Sequence, residues 1–198
     1  QVAKLVHKLT SVCEDNDVLV THEPTRYAKE IKRTLRRDEP ASMGASRMAE
    51  LYIQDRLRHQ REIIAPNLEN GVIIITNRFK LSTSAYQSAQ GMDIHYLIGR
   101  QKNVGILTPD ITCILDVTPE TIRNRLKRSK KEPDKFERDL EFQQKVSDNY
   151  NILHRMSKQD PGYFGDVRLI DANEKPSEVF RSLWRHIGST YRSWVMEL

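Results

Sequence analysis

The chain has 198 residues, of which 38% are hydrophobic and 30% charged, a balance typical of a single globular domain with a sizeable core. No apolar run approaches the roughly 20 residues that a membrane-spanning helix needs, and no secretory signal segment is visible. The formal net charge of +5 favours anionic partners, but nucleotides, nucleic acid and simple counterions all stay open.

The first part of the chain alternates predicted helices and strands. Apolar residues recur at helical spacing over residues 1–9, so the chain begins inside a predicted helix. Further along we predict a strand at 17–21, a helix at 28–36, a linker at 38–44, an amphipathic helix at 47–68 and a buried strand at 72–75.

The second part continues the alternation. We predict a largely helical stretch at 85–107 with loops near Gly91 and Gly105, a strand at 111–117, a helix at 119–128, a helix at 140–156, a strand at 167–170 and a helix at 177–198. Thr118 is the expected cap of the helix that Pro119 opens. Alternating strands and helices predict one α/β domain, in which a parallel sheet is covered by helices on both faces.

The two cysteines stand alone in apolar settings. Cys13 and Cys113 lack the C-x-x-C spacing of a metal or redox site, which favours reduced core thiols. Reduced thiols in turn favour a cytoplasmic location.

Polar residues follow the predicted strand at 72–75. Asn77 and Arg78 come first, and then a polar loop with hydroxyls at Ser82, Thr83 and Ser84. Ligands of parallel sheets bind where the strands end, which predicts a cleft for a small anion. An ordinary solvated loop is the alternative.

Tyr52 and Arg56 lie four residues apart on the predicted helix at 47–68, so they share one face and can flank one ligand. Core packing is the alternative for Tyr52, because an aromatic residue at helical spacing is usually buried.

Six of the nine residues at 123–131 are basic. Such a segment fits either a nucleic-acid patch or a solvated helix face. No aromatic residue interleaves with it, and single-strand binding normally adds aromatics to a basic groove, so nucleic acid is disfavoured.

Seven short motifs occur in the order and with spacing similar to those of one enzyme family. They are THEP at Thr21, LYIQDR at Leu51, NRF at Asn77, STSAYQ at Ser82, ILDVTPE at Ile114, DKFE at Asp134 and LIDA at Leu169. The chain thereby resembles the thymidylate kinases, P-loop enzymes that move the terminal phosphate of ATP to dTMP. The resemblance implies a three-layer P-loop NTPase fold, ATP and dTMP as partners, Mg²⁺ carried with ATP, a homodimer, and neither nucleic acid nor membrane as a partner.

The resemblance also implies a dTMP site. Tyr52 matches the aromatic residue that stacks on thymine, Arg56 matches the donor to the base carbonyl, and Arg78 matches the arginine near the phosphate. Arg26 is a second phosphate contact or a solvated arginine. The implied dTMP residues are Glu23, Arg26, Tyr52, Arg56, Arg78, Ser82, Thr83, Tyr86 and Gln87.

The basic segment matches the family's lid, at about residues 123–136, which closes over ATP. The implied ATP contacts are Arg125, Lys127, Arg128 and Asn173, and the implied catalytic residues are Arg78, Arg125 and Arg128. Such cations stabilise a phosphoryl group in transfer.

The chain departs from the family pattern in three places. It contains no G-x-x-x-x-G-K-[ST] phosphate loop, Asn77 stands where the family usually has aspartate, and His22 replaces a common arginine. We expect on the order of 15 further residues ahead of Gln1, comprising a strand and the glycine-rich loop. Another deoxynucleotide kinase and a non-catalytic nucleotide-binding protein are the alternatives.

Overall fold

The computed structural model describes residues 18–35, 44–128 and 139–196. The predicted first helix, Cys13 and the lid beyond residue 128 lie outside these residues. Along the described part of the chain, no helix is both long and apolar enough to cross a membrane.

Four strands form by parallel pairing, as predicted: β1 (Val18–His22), β2 (Ile73–Asn77), β3 (Ile111–Asp116) and β4 (Asp166–Asp171). β1 pairs with β2, and β3 pairs with β4. Within the described residues these pairs form two two-stranded parallel sheets, and the predicted α/β architecture with parallel strands is confirmed. In the described ranges each strand has a neighbour on one edge only.

The helices are α1 (Lys29–Leu35), α2 (Ala45–His59), α3 (Ala65–Glu69), α4 (Lys80–Ala89), α5 (Ile94–Asn103), α6 (Pro119–Arg128), α7 (Leu140–Ser157), α8 (Pro161–Phe164) and α9 (Pro176–Met196). A π-helical turn, Gln60–Ile64, joins α2 to α3, so the helix predicted at 47–68 is one helical run with a widened turn inside it. Such turns often lie at functional sites.

The polar loop predicted after β2 is wrong. Ser82, Thr83 and Ser84 lie within α4, whose buried face also includes Leu81 and Ala85. Serine and threonine have low intrinsic helix propensity, which favoured a loop, but packing of this face decides the conformation.

One helix covers both sheets. Trp184 of α9 packs with Val18 and Ile73 of the first sheet, and Leu183 packs with Ile170 of the second. The sheets are therefore two parts of one layer, and the partly buried Trp184 contributes to the core beneath the first of them.

The larger core lies between α4, α7 and β4. Its buried residues are Leu81, Ala85, Ile98, Ile114, Phe142, Val146, Leu153, Tyr163, Phe164 and Val167. This core fixes α4, which supplies much of the site. Cys113 of β3 packs against the smaller cluster that includes Ile170 and Leu183, and burial raises the pKa of its thiol to about 11, so the thiol is protonated at neutral pH.

Candidate active site

A pocket opens at the carboxyl ends of β1 and β2, between α2 and α4. It is lined by Glu23, Pro24, Leu35, Met48, Tyr52, Arg56, Arg78, Ser82, Thr83, Tyr86, Gln87 and Gln143. Eight of the nine predicted dTMP residues belong to this lining, and Arg26 does not. Parallel sheets place ligands at this end of their strands, so the position fits a binding site.

A buried ion pair forms the floor of the pocket. Arg56 and Glu23 are 1% and 5% exposed. Nε of Arg56 donates to Oε2 of Glu23 at 2.7 Å, and Nη2 donates to the same oxygen. Nη2 also donates to the Thr83 hydroxyl at 3.1 Å. Sharing its donors among several acceptors offsets the cost of burying the guanidinium.

His59 supports this pair from the next turn of α2. Its Nδ1 lies 3.2 Å from Oε1 of Glu23, and its Nε2 lies 2.7 Å from the Thr21 hydroxyl. An ionised carboxylate only accepts, so Nδ1 of the ring carries a proton and donates to Glu23. The chain Thr21–His59–Glu23 thus fixes the carboxylate that holds Arg56.

Arg78 stands at the mouth of the pocket, in a backbone conformation that is rare for residues other than glycine. Its φ is +67°. The Thr76 hydroxyl donates to its carbonyl oxygen at 2.8 Å, and its guanidinium lies 4.6 Å from the Tyr86 ring centre. Nη2 also donates to the Tyr86 hydroxyl at 3.1 Å. A strained residue held by neighbours in this way indicates a functional position.

Tyr52 belongs both to a core cluster and to the pocket lining, and its stacking on a base stays a prediction. Its ring is half-buried and packs against Ala28, Ile31 and Met48, while another part lines the pocket. The core anchors the aromatic ring and leaves it available for stacking on a base.

α4 presents a polar edge to the pocket. The Ser82 hydroxyl lies 2.8 Å from the Tyr150 hydroxyl. Gln87 is 2% exposed, and its Nε2 donates to Gln90 at 3.3 Å. Oε1 of Gln87 has no hydrogen-bond partner in the described part of the chain. A buried acceptor without a partner is costly, and in a pocket lining it indicates a ligand that donates.

Arg26 lies outside the lining. Its Nη2 donates to the Tyr27 hydroxyl at 2.6 Å, and its guanidinium stacks on the same ring. A phosphate contact by Arg26 stays a prediction.

The loop after β4 is tied to α6. Nη2 of Arg125 donates to the carbonyl oxygens of Ala172 and Glu174 at 2.6 and 3.1 Å. Thr118 donates to Oδ1 of Asn173 from its amide and its hydroxyl. Backbone and side-chain hydrogen bonds from Asn173 lower the pKa of the Asp171 carboxyl. Arg125 therefore shapes the loop expected to approach adenine.

The other predicted ATP contacts are less defined. Lys127 is exposed on α6, and the side chain of Arg128 lies outside the described residues, as do residues 129–136 of the lid. Their roles stay predictions.

Asn77 ends β2, and its carbonyl oxygen accepts the Glu23 amide at 3.1 Å. In the described portion of the chain, no group of three or more His, Cys, Asp or Glu residues could hold a metal ion. Magnesium in such enzymes is held by one or two carboxylates together with substrate phosphates.

Sequence reasoning missed three buried groups around Arg56. His59 was recognisable, since it lies three positions after Arg56 and therefore on the same helical face. Gln101 and Lys80 carried no signal, because they reach the site from α5 and α4 through packing alone.

Lys80 is the buried amine of this group. It is 1% exposed, and its Nζ donates to the Tyr163 carbonyl oxygen and, at 3.2 Å, to the Thr108 hydroxyl. No carboxylate contacts it within the described residues. Burial lowers the pKa of Lys80 to about 8, and the charge of Arg56 contributes in the same direction.

We therefore expect a pH-dependent difference in stability between the protein and the variant Lys80→Met. Between pH 8 and 10.5, Lys80 is protonated to a greater extent in the unfolded protein than in the folded protein. The contribution of this residue to the free energy of unfolding therefore becomes more favourable as pH rises. Across this range the free energy of unfolding should rise by roughly 3 kcal/mol, because each unit by which the pKa of Lys80 is lowered corresponds to about 1.4 kcal/mol. Urea unfolding of both proteins at pH 7 and 10.5 measures it. A constant difference between them across this range would contradict the assignment, while Lys29→Met, on exposed α1 surface, serves as the control.

The fold and this pocket define the class of the protein. Parallel strands covered by helices, a site at their carboxyl ends, and arginines beside a base-sized cleft are the features of an α/β nucleotide kinase of the P-loop NTPase fold class.

The chain belongs to the thymidylate kinase family, whose model, described as "Thymidylate kinase", matches residues 1–182. A probable thymidylate kinase of Thermococcus kodakarensis is 31% identical over 84% of this chain and 80% of its own length. A thymidylate kinase of Maridesulfovibrio salexigens is 30% identical over 90% of this chain and 85% of its own. A probable thymidylate kinase of Staphylothermus marinus is 34% identical over 84% and 77%.

Proposed function

We propose that the protein transfers the terminal phosphoryl group of ATP to dTMP, giving dTDP and ADP. The observation that carries this proposal is a pair of buried hydrogen-bonding groups in one pocket lining, a donor on Arg56 and an acceptor on Gln87. The names of the relatives, thymidylate kinase, support the same reaction.

The donor and acceptor fit a pyrimidine with a carbonyl group at C4. Thymine and uracil present a carbonyl acceptor and, next to it, the N3–H donor. Cytosine presents an amino donor at C4 and an unprotonated N3 that accepts. The donor on Arg56 would then face a donor, and the acceptor on Gln87 would face an acceptor. A site built to hydrogen-bond one pattern rejects the other strongly, because buried polar groups are left unpaired.

Arg78 is the proposed phosphate contact. Its guanidinium is stacked on Tyr86 at the mouth, where a nucleotide with its base on the floor would place its phosphate. Phosphoryl transfer needs positioning and charge stabilisation rather than covalent chemistry of the protein, which suits arginines at this position.

On the ATP side we propose Arg125, Lys127, Arg128 and Asn173 as contacts. Magnesium is proposed to arrive with ATP, where it neutralises phosphate charge. No protein site for the ion is proposed. The cytoplasmic location rests on the expected reduced thiols and the homodimer on the family resemblance, and both stay predictions.

Substrate preference tests the proposal. We expect the full-length protein to release ADP from ATP with dTMP at least about 100-fold more efficiently than with dCMP, judged by kcat/KM. Arg78→Gln should raise the KM for dTMP by about 10-fold or more, since a charge-assisted phosphate contact is lost. Arg61→Gln, at an exposed residue of the π-helical turn, is the control. Equal efficiencies with dTMP and dCMP would overturn the assignment to thymine.

Nucleotide binding without turnover is the second candidate function, and Asn77 favours it, because an amide lacks the charge that helps to hold the water shell of magnesium. Calorimetry separates the candidates. Binding of dTMP without ADP release, together with turnover in Asn77→Asp, would establish the second.

A further inference from the structure

Gln101 on α5 contacts Arg56 without lining the pocket. It is fully buried. Its Oε1 accepts from Nη1 of Arg56 at 2.7 Å, while its Nε2 donates to the Ser84 hydroxyl at 3.1 Å and the Leu97 carbonyl oxygen at 3.3 Å. A guanidinium only donates and a carbonyl only accepts, so chemistry at both ends fixes the orientation of the amide.

Four of the five N–H groups of Arg56 are engaged by described residues. Glu23 accepts two, Thr83 accepts one and Gln101 accepts one. The fifth N–H lies on Nη1, the atom bound to Gln101. The guanidinium is planar, so the direction of one Nη1 hydrogen fixes the direction of the other.

We infer that Gln101 is a positioning residue for base recognition: by holding Nη1 it aims the remaining N–H of Arg56 into the pocket and thereby sets the selectivity for a carbonyl over an amino group at C4 of the pyrimidine. The inference rests on the proposed function and adds to it a residue that the nucleotide does not touch. The two hydrogen bonds to Glu23 converge on one oxygen, Oε2, so the bond from Nη1 to Gln101 adds an anchoring point on the opposite side and limits rotation of the planar group about that oxygen.

A purely structural role for Gln101 makes a different prediction. Its bonds to Ser84 and Leu97 also tie α5 to α4, so its loss would lower stability in either case. Selectivity between two pyrimidines changes only if the direction of the Arg56 donor changes. The ratio of two dissociation constants therefore separates the roles.

The test is calorimetric binding of dTMP and dCMP to the full-length protein and to Gln101→Leu. We expect the affinity for dTMP to fall about 10- to 100-fold, as for loss of a hydrogen bond to a charged group. We expect the preference for dTMP over dCMP to fall at least about 10-fold. A wild-type preference in Gln101→Leu would overturn the inference and leave the proposed function intact. Absence of any dTMP preference in the wild type would overturn the proposed function itself.

Gln60→Leu is the matched control. Its side-chain amide donates to the Gly105 carbonyl oxygen at 3.0 Å and accepts from the Leu107 amide at 2.8 Å, and neither hydrogen bond involves the Arg56 guanidinium. We expect this variant to keep the wild-type preference, and an equal loss of preference in both leucine variants would refute positioning by Gln101.

Two milder variants complete the design. Gln101→Glu keeps an acceptor for Nη1, so we expect it to keep most of the preference that Gln101→Leu loses. If Gln101→Leu does not fold, Ser84→Ala takes its place, because it removes the hydroxyl that holds the Gln101 amide. A reduced preference in Ser84→Ala supports positioning, and an unchanged one counts against it.

Discussion

Replacing Arg56 with methionine is expected to lower the free energy of unfolding by about 3 to 5 kcal/mol, the usual cost of removing one partner of a buried ion pair. The carboxyl of Glu23, at 5% exposure, would retain only His59 as a side-chain partner among the described residues, and Gln101 and Thr83 would each lose a donor. Urea unfolding followed by circular dichroism measures the change. Affinity for dTMP should fall with it, because the base would lose its donor.

An exposed pair on the same helical run provides the comparison. Arg58 donates to Glu62 at 3.0 Å, and the side chains are 51% and 37% exposed. Solvent screens this pair, so Arg58→Met should cost no more than about 0.5 kcal/mol. The double variant Glu23→Gln with Arg56→Met should recover part of the loss, since no buried charge remains unpaired. Equal costs at Arg56 and Arg58 would show that burial contributes nothing here.

Strands and pocket side chains were predictable where local pattern and packing agree. The apolar, β-branched runs in β2 and β3 form strands that are mostly half-buried rather than buried on both faces, and their composition marks them in the sequence. Tyr52 and Arg56 were predictable as one face of a helix, because four residues make about one turn. Their assignment to a nucleotide came from the family resemblance rather than from spacing.

Other features depend on distant packing and had no local signal. Gln101 contacts Arg56 across 45 positions of sequence. The helical state of Ser82 to Ser84 follows from burial of α4, against the propensity of its hydroxyl residues. The positive φ of Arg78 is likewise imposed by its neighbours, since an arginine does not favour it by itself.

The role of Arg125 could not be predicted from the sequence, because arginines with different roles occur in the same basic pattern. A run of cations indicates phosphate binding, but the guanidinium of Arg125 is engaged by backbone carbonyls of the loop after β4. Carbonyl oxygens are exposed at many loops, so no sequence pattern distinguishes an arginine that shapes a loop from one that binds phosphate. Its contact with ATP stays a prediction that this geometry does not test.

Substituting alanine for Gly165 is expected to lower the free energy of unfolding by about 2 to 6 kcal/mol, the sum of about 1 to 3 for backbone strain and about 1 to 3 for overpacking. Gly165 has φ +70° and ψ −160°, a region that residues with a Cβ rarely adopt. A Cβ there would lie 2.0 Å from the Pro109 carbonyl oxygen, so the backbone must move. Urea unfolding of the alanine variant measures the loss.

Two other glycines separate the two contributions. Gly105 also has φ +70°, but a Cβ there would meet nothing within 4 Å, so Gly105→Ala should cost only the backbone strain, about 1 to 2 kcal/mol. Gly99 lies inside α5 with open space around it, and Gly99→Ala should stabilise the protein by about 0.5 to 1 kcal/mol. If Gly165→Ala cost no more than Gly105→Ala, close approach to Pro109 would be excluded as a constraint. The close approach of Gly165 to Pro109 also positions Tyr163, two residues earlier, whose carbonyl oxygen accepts a hydrogen bond from Lys80. Backbone movement at Gly165 should therefore also disturb the buried amine of Lys80 near Arg56.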